Sequence, residues 1–382
     1  MSFIFVSHDF VNKTRLNIKS TKGPWGVIYT ELKQRADKAM LKGPWSVTYF
    51  PSKAASGDPH DYYYEAPYWW PNPHDPNGPY VRRDGLERPD RHKEHWLAFQ
   101  ELSNTVLLLC YAGYYLENKS YLQRAVDLLK VWFLDLKTRM NPHLKYAEAV
   151  PGKWTGKCTG IIVLRQLDRL VHALCFLHEY PDWQKELEGM AEWIEECLAW
   201  ILNTQRGKKE SKLGNNHSAW WVTHVAVYAA YLNKGNILQN AFNFYKDVVV
   251  SKQITLSGAL PRELIRTKAF SYSLFNLDAQ TLLCEIAYLK GTNLWKYKTT
   301  EGKGIESAIR FLLPYMDNPN SWPYKQIDGF IPDEQISLQY AAIRLGLNEC
   351  LDINIRRRRK SNVIRFGDPL GPLALLPGYP IL

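Results

Sequence analysis

The sequence predicts an all-α protein built from antiparallel helix pairs. Apolar residues recur with helical spacing through most of the 382-residue chain, and the helical stretches come two by two. The short breaks between them carry Asn, Gly, Pro or Asp, which favour turns. Hydrophobic residues make up 46% of the chain, enough for a large core. Such pairs form a bundle, a solenoid or a closed toroid, and the lack of a strict sequence repeat argues against a regular TPR or HEAT array.

The predicted helices follow one another at short intervals. The first pair covers residues 97–116 and 121–136 and is divided by the polar break Glu117-Asn118-Lys119. The same alternation of apolar periods and polar links predicts two further pairs and three more helices. These are 160–178 with 183–202, 218–232 with 237–250, and then 276–289, 305–315 and 334–345.

Three stretches interrupt this helical pattern. Residues 51–95 are dense in Pro, Gly, Tyr and Trp, and residues 141–159 form a second irregular segment. Long irregular segments in compact domains are typically lids or binding loops. The third stretch is the tail beyond Asp352, where the basic run Arg356 to Lys360 is either a localisation or nucleic-acid patch or a solvated charge run. Because no linker separates two compositions, we expect one domain over residues 1–382 with an N-terminal arm and a C-terminal tail.

Charge and aromatic content narrow the class of partner. The chain has 48 Lys and Arg against 38 Asp and Glu, a net charge of +10, which favours anionic partners. Aromatic residues reach 13%, with 23 Tyr and 14 Trp, and their flat faces suit stacking on sugar rings or bases. Together these features indicate an acidic polysaccharide or a single-stranded nucleic acid. The plainer interpretation is a Trp-rich core beneath solvated lysines.

The sequence carries no transmembrane or metal-binding signature. No apolar run approaches the roughly 18 residues that span a bilayer, so no membrane partner is expected. No signal peptide is visible at the start, which fits a cytoplasmic protein or a mature secreted form. The six cysteines lie in apolar helical patterns without ligand spacing, and we interpret them as buried thiols. We therefore expect no metal and no other cofactor, and the oligomeric state stays open.

The strongest local signal is the segment GNNHSAWW at residues 214–221, where a predicted helix begins. Asn215 or Asn216 suits the N-cap, and the positive end of the helix dipole favours a bound anion. His217 can act as acid or base near neutral pH. The alternative is a capping asparagine beside a histidine of the core.

A second signal combines Arg266 with Tyr272, six residues apart and just before the helix predicted from residue 276. Arginine can bind a carboxylate through two hydrogen bonds. Tyrosine can transfer a proton if neighbouring cations lower its pKa. A surface arginine and a packed tyrosine are the alternative.

A third signal lies in the aromatic, proline-rich part of residues 51–95. Tyr68, Trp69 and Trp70 are consecutive, and Arg82 and Arg83 follow shortly after. Such a cluster in a turn-rich loop is not typical of a core element. It fits better with a wall of aromatic side chains that binds sugar rings.

These segments resemble the alginate lyase superfamily of polysaccharide lyases. The stretches APYWWP…GPYxRRDG (66–85), NNHSxW (215–220) and LPRELxRT…YSxFN (260–276) occur in the order of the family, and Cys158-Thr159-Gly160-Ile161-Ile162 with Arg165 is similar to its central segment. The resemblance covers about residues 60–290. It implies an incomplete α/α toroid with a substrate groove across one mouth, and lyase activity on polymannuronate or polyglucuronate.

The resemblance also implies site residues. Asn216, His217, Arg266 and Tyr272 match the catalytic set of the family. Ser271 departs from the pattern, because some alginate lyases carry a second histidine before the tyrosine, and this leaves the preferred uronate open. The substrate-binding residues that we expect, from the family segments and from the aromatic wall, are Tyr68, Trp69, Trp70, Arg82, Arg83, Arg165 and Trp220.

The chemistry implied is β-elimination, in which the C5 proton of a uronate is removed and the C4 oxygen leaves. Asn216 and Arg266 would stabilise the enolate-like intermediate, and Tyr272 would protonate the leaving oxygen. Either His217 or Tyr272 is the base. In mannuronate and glucuronate the C5 hydrogen and the C4 oxygen lie on the same face, so that one tyrosine can perform both steps.

Two other functions stay open at the level of the sequence. A glycoside hydrolase on an α/α toroid needs two carboxylic acids, and Glu65 and Asp84 are candidates. A non-catalytic binding module for nucleic acid or acidic glycan would explain the charge but would leave the Asn-His and Arg-Tyr motifs without a role. An acidic polysaccharide is thus the expected partner, and nucleic acid is not.

Overall fold

The computed structural model describes residues 3–20, 23–75, 77–329 and 335–361, with side chains as far as residue 356. The helices of this part of the chain are α1 His8–Lys19, α2 Gly23–Ala39, α3 Glu94–Tyr115, α4 Lys119–Leu129, α5 Arg165–Leu177, α6 Gln184–Asn203, α7 Gln205–Glu210, α8 Asn216–Tyr231, α9 Gly235–Phe244, α10 Ser251–Gln253, α11 Pro261–Leu264, α12 Ala269–Leu289, α13 Ile305–Asp317, α14 Ile336–Leu345 and α15 Asn348–Ser361. The strands are β1 Tyr63–Glu65, β2 Trp69–Trp70, β3 Val81–Arg82 and β4 Tyr146–Ala149.

The helices form two concentric layers. Helices α3, α5, α8, α12 and α14 pack side by side as an inner row, and α4, α6, α9, α13 and α15 pack on its outside. Inner helices such as α5 and α8 bury residues on all sides, whereas α4 and α13 bury one stripe, as expected for inner and outer layers. The fold is therefore the predicted all-α, incomplete α/α toroid.

The N-terminal residues connect the two ends of the inner row. The Tyr340 hydroxyl of α14 donates a hydrogen bond to the carbonyl of Phe5, 2.8 Å away. The ring of Phe3 lies against Tyr114 of α3 and Phe176 of α5, with centroids 6.4 Å and 4.8 Å apart. The N-terminal arm continues as α1 and α2, which the sequence pattern did not predict and which pack on α3.

Most predicted helices are confirmed to within a few residues, and two predictions are wrong. Helix α12 begins at Ala269 rather than at residue 276, so Tyr272 lies in the first turn and not before the helix. The chain beyond Asp352 continues as helix α15 to Ser361 instead of breaking the helical pattern. Within the basic run, Arg356 pairs with Asp317 at 2.8 Å, and the side chains that follow lie outside the described residues.

The two internal irregular segments are joined to each other. Strand β1 pairs in parallel with β4, and β2 pairs with β3 as a short antiparallel ribbon. The β1–β4 register shifts between its two pairings, and within β4 Glu148 has a left-handed backbone with φ of 53°. This irregularity gives β4 an extra residue, and such bulges re-aim a side chain.

The remaining sequence features concern cysteines and membranes. All six cysteines are buried free thiols, as predicted. Over the described ranges, we find no helix with the length and apolarity that a bilayer crossing requires.

Candidate active site

A cleft of about 410 Å³ lies at one end of the toroid. Its lining includes residues from the first turns of four inner helices: Trp96 of α3, Arg165 of α5, Asn216 of α8 and Tyr272 of α12. The N-terminal ends of these helices therefore converge on the cleft. Because each N-terminus carries a partial positive charge, the fold itself favours an anion here.

His217 lies in the first turn of α8, which Asn215 caps by accepting a hydrogen bond from the His217 backbone N–H at 3.2 Å. Its Nδ1 is 2.7 Å from Oε1 of the fully buried Glu210, so Nδ1 carries the proton and donates it to the carboxylate. Burial alone would lower the pKa of His217, but Glu210, with Glu148 and Glu263, outweighs burial and raises it. The imidazole lines the cleft with 17% of its side chain exposed.

Asn216 is fixed by a second buried carboxylate. Glu263 accepts the Asn216 backbone N–H at 2.6 Å and its side-chain amide at 2.7 Å. Asn276 donates to the same carboxylate at 3.0 Å. Burial raises the pKa of Glu263, against the lowering effect of these amides. The carboxylate thereby holds Asn216 in one orientation at the cleft surface.

Tyr272 is surrounded by Tyr68 and Arg266. Its hydroxyl donates a hydrogen bond to the Tyr68 hydroxyl at 2.8 Å, and the Arg266 guanidinium lies 3.8 Å from the centre of its ring. Burial and Tyr68 raise the pKa of Tyr272 strongly, although Arg266 opposes them. The lowered pKa expected from neighbouring cations is therefore not found, and Tyr272 is a neutral phenol near neutral pH.

Arg266 is bound by Asp84 from the first irregular segment. Its Nε and Nη2 donate to the two carboxylate oxygens at 3.0 Å and 2.7 Å, and Arg82 contacts the same carboxylate at 2.6 Å. Burial would raise the pKa of Asp84, but Arg266, the Thr267 backbone N–H and Arg82 lower it to about 2. Asp84 is thus an anion at neutral pH, held between two arginines.

The structure brings together most of the predicted site residues. Asn216, His217, Arg266, Tyr272, Tyr68, Trp69, Arg82 and Arg165 all line the cleft. Trp70, Arg83 and Trp220 do not line it. Trp70 instead donates to the Leu86 carbonyl at 2.9 Å and lies under Arg83. Trp220 is buried and donates to the Phe275 carbonyl at 3.1 Å.

Three carboxylates, one in the cleft and two behind it, were not predicted as site residues from the sequence. Glu148, at the irregular position of β4, lines the cleft and accepts hydrogen bonds from Lys157, at 3.2 Å, and from Thr159. The buried Glu210 and Glu263 hold His217 and Asn216 from behind. Carboxylates are common in any sequence, and only the fold identifies which ones contact the motifs.

The two carboxylates proposed for a glycoside hydrolase are unsuited to that role. Glu65 does not line the cleft and is paired with the buried Arg88. Asp84 has a pKa of about 2 and binds Arg266, so it is not a proton donor near neutral pH. Within the described ranges, no group of three or more His, Cys, Asp or Glu side chains is placed to hold a metal ion.

A ring of helix pairs with a cationic, aromatic cleft at one end is the architecture of the toroid polysaccharide lyases. The family model described as alginate lyase matches residues 46–322. The chain therefore belongs to the alginate lyase family, and it is a polysaccharide lyase.

Solved structures agree with this assignment. An alginate lyase from Bacteroides ovatus is 28% identical and superposes with a TM-score of 0.87 over 98% of each chain. Alginate lyase A1-III from Sphingomonas species A1 is 17% identical, with a TM-score of 0.59 over 90% of this chain and 93% of that one, which shows the shared fold. A histidine-to-alanine variant of A1-III in complex with a tetrasaccharide has a TM-score of 0.57 at 17% identity, over the same shares of the two chains. No curated protein sequence matches the chain.

Proposed function

We propose that this lyase cleaves a 1,4-linked polyuronate, either glucuronan or mannuronate-type alginate, by β-elimination. The observation that carries the proposal is that a carboxylate-bound histidine, His217, and a neutral tyrosine, Tyr272, line one cationic cleft. The relatives named above are alginate lyases, and one is a complex with a tetrasaccharide, which supports an acidic polysaccharide as substrate.

The first requirement of the reaction is to stabilise the carboxylate of the uronate while C5 loses its proton. Asn216 suits this role because Glu263 fixes its amide at the cleft surface. Arg165 lines the same cleft and has no carboxylate partner among the residues that the structure describes. We assign the substrate carboxylate to Asn216 and Arg165, since Arg266 already binds Asp84.

The second requirement is a base for the C5 proton. His217 donates Nδ1–H to Glu210, which leaves Nε2 as the proton acceptor on the other edge of the ring. The raised pKa makes the neutral imidazole a stronger base. The electron pair of the broken C5–H bond forms the C4–C5 double bond, and the proton passes to Nε2.

The third requirement is an acid for the C4 oxygen, which departs with the electrons of its bond to C4. The raised pKa keeps the Tyr272 phenol neutral, and it gives its hydroxyl proton to this oxygen. Arg266 lies over the ring and stabilises the phenolate that remains. Transfer of the proton from His217 to the phenolate then restores both groups.

In mannuronate and glucuronate the C5 hydrogen and the C4 oxygen lie on one face of the sugar, so His217 and Tyr272 would both have to act from that face. The alternative is that Tyr272 removes the C5 proton as well. Burial raises the pKa of Tyr272, which makes the phenolate scarce before substrate binds and favours the division of labour between His217 and Tyr272.

The function is tested by incubating the protein with polymannuronate, polyguluronate, glucuronan and glycosaminoglycans. The C4–C5 double bond absorbs in the ultraviolet, so absorbance reports elimination directly. We expect the signal with polymannuronate or glucuronan, both before and after EDTA treatment. New reducing ends without ultraviolet absorbance would instead indicate hydrolysis, and complete, reversible loss of activity with EDTA would contradict a metal-free mechanism.

The role of Tyr272 is tested by Tyr272→Phe, which removes only the hydroxyl. Turnover is expected to fall by about 10²- to 10⁴-fold, the usual contribution of a general acid, while the affinity for substrate stays similar. The matched control is Tyr80→Phe, which removes the hydroxyl of a tyrosine in the first irregular segment that does not line the cleft. A folded Tyr272→Phe protein with near-normal turnover would show that the acid lies elsewhere.

A further inference from the structure

Outside the predicted motifs, the second irregular segment carries a tight turn at Val150 to Trp154. The backbone N–H of Lys153 donates to the Val150 carbonyl at 2.9 Å, and Val150 and Trp154 also exchange backbone hydrogen bonds at 2.8 Å and 2.9 Å. Pro151 occupies the second position and Gly152, with φ of +70°, the third, as a type II turn requires. The turn therefore presents Lys153 and Trp154 from a fixed backbone.

The turn contacts the cleft wall through Trp69. The rings of Trp69 and Trp154 are perpendicular, with centroids 5.0 Å apart. The ammonium of Lys153 is 4.5 Å from the Trp69 ring centre and 4.6 Å from the Trp154 ring centre. Trp69 lines the cleft, whereas Trp154 lies beyond it and is 40% exposed. The three side chains form an aromatic corner, which extends the cleft outward.

The charges at this corner are unequal. Lys157 lies 5.9 Å and 5.8 Å from the same two ring centres, but it pairs with Glu148. Lys153 has no carboxylate partner in the part of the chain that the structure describes. An exposed ammonium held beside two aromatic rings offers a carboxylate a charge that no acidic side chain of the corner neutralises.

We propose that the aromatic corner of Trp69, Lys153 and Trp154 is a subsite for a uronate residue of the polymer, remote from the bond that is cleaved. The apolar face of the sugar ring stacks on tryptophan, and its carboxylate pairs with Lys153. A neutral sugar would use only the stacking. Because the turn is held by its own hydrogen bonds, little conformational freedom is lost on binding.

The aromatic corner is linked to Tyr272, the candidate acid, through Tyr68, and this position supports a polymer substrate. Trp69 follows Tyr68 directly, and the Tyr68 hydroxyl accepts the hydrogen bond from Tyr272. Tyr68, which contacts the candidate acid, thus immediately precedes the strand that begins with Trp69, a wall of the subsite. The subsite deepens the function proposed above, on which it rests, and implies that longer oligomers bind better than the shortest ones.

The test uses mannuronate and glucuronate oligomers of two to six residues and, as neutral analogues, the same oligomers with reduced carboxyl groups. Lys153→Met keeps the aliphatic stem and removes the charge, and Trp154→Ala removes the exposed ring. The matched control is Lys145→Met, because Lys145 lies 5.6 Å from the Tyr146 ring in the same segment but outside the cleft. Binding is measured in the Tyr272→Phe background, and kcat and KM in the otherwise unaltered protein.

Lys153→Met is expected to weaken binding of the hexamer by about tenfold, equivalent to about 1.4 kcal/mol, and to leave the dimer and the neutral hexamer nearly unchanged. Trp154→Ala should weaken charged and neutral hexamers alike. KM for long oligomers should rise by the same factor with kcat unaltered. The control should match the wild type.

Two failures are distinguishable. Suppose that the wild type cleaves uronate oligomers, and that folded Lys153→Met and Trp154→Ala bind oligomers of all lengths with wild-type affinity. The subsite is then overturned, while the proposed function stands. If the wild type cleaves none of them, the proposed function fails. The subsite then survives only if Lys153→Met still weakens charged-hexamer binding relative to Lys145→Met, and unchanged binding overturns it as well.

Discussion

Helix α8 carries two histidine–carboxylate pairs that are alike in geometry and differ in surroundings. His217, in the first turn, has its Nδ1 2.7 Å from Glu210, and His224, two turns further on, has its Nδ1 2.7 Å from Asp168. The His217 side chain is 17% exposed and lines the cleft. The His224 side chain is fully buried.

The surroundings decide what each pair can do. His224 stacks between the rings of Trp220 and Tyr228, with centroids 5.7 Å and 6.3 Å away. Its Nε2 has no hydrogen-bond partner among the described residues, and His224 does not line the cleft. A buried histidine–carboxylate contact of this kind fixes one way of packing and has no access to substrate. Access to substrate, and not the carboxylate–histidine contact itself, distinguishes the candidate base.

The largest effect on turnover is expected when His217, the histidine that lines the cleft, is replaced. His217→Ala should lower turnover by about 10²- to 10⁴-fold, because the proton acceptor is lost. Thermal stability should fall less than for a fully enclosed pair: Glu210 loses its partner, but the ring borders the cleft, so its removal lets water reach the carboxylate. Initial rates of ultraviolet absorbance and a melting curve measure the two effects. Turnover within tenfold of wild type would exclude His217 as the base.

The buried pair should show the opposite response. His224→Ala leaves the Asp168 carboxylate buried without its partner, which is expected to reduce the free energy of unfolding by about 3–5 kcal/mol. Turnover per folded molecule should stay within a few fold, because His224 does not line the cleft. Urea unfolding and rates normalised to folded protein test this. A stable variant without turnover would assign chemistry to the buried pair.

Replacing Glu210, the carboxylate that contacts His217, tests whether His217 is the base. Glu210→Gln removes the principal charge that raises the pKa of His217, so that this pKa falls. Since the neutral imidazole is the base, the acidic limb of the kcat/KM profile should move to lower pH. The plateau should also fall by roughly a hundredfold, because the carboxylate orients the ring and its tautomer.

The control for this profile is Asp168→Asn, which removes the corresponding carboxylate of the buried pair. Its acidic limb should coincide with that of the wild type. A limb that stays in place in Glu210→Gln would indicate that Tyr272 removes the C5 proton itself.

The sequence alone predicted most of the long helices and many of the residues that line the cleft. Helices α3, α5 and α8 were predicted because packing between the two layers requires apolar residues at helical spacing. The NNHS segment also correctly predicted an asparagine N-cap before His217. Helices α1 and α2 were missed since exposed polar residues dominate them.

The carboxylates behind the motifs could not be predicted for a different reason. Asp84 contacts Arg266 from 182 positions away, and Glu263 reaches Asn216 across 47. The sequence also did not predict which side chains of strand β2 face the cleft. Trp69 lines the cleft and its neighbour Trp70 does not, as alternation along a strand produces, but no sequence pattern indicated which of the two faces inward.

Asp84 has a consequence for how the enzyme responds to ionic strength. Its carboxylate carries one negative charge against the two positive charges of Arg82 and Arg266, so it acts as a built-in counterion for one of them. Binding a polyanion gains affinity from the salt ions that it displaces, and cations that the protein has already neutralised contribute none. Affinity for the polymer should therefore depend on salt mainly through Arg165, Lys153 and the one arginine charge that Asp84 leaves, less steeply than a net charge of +10 suggests.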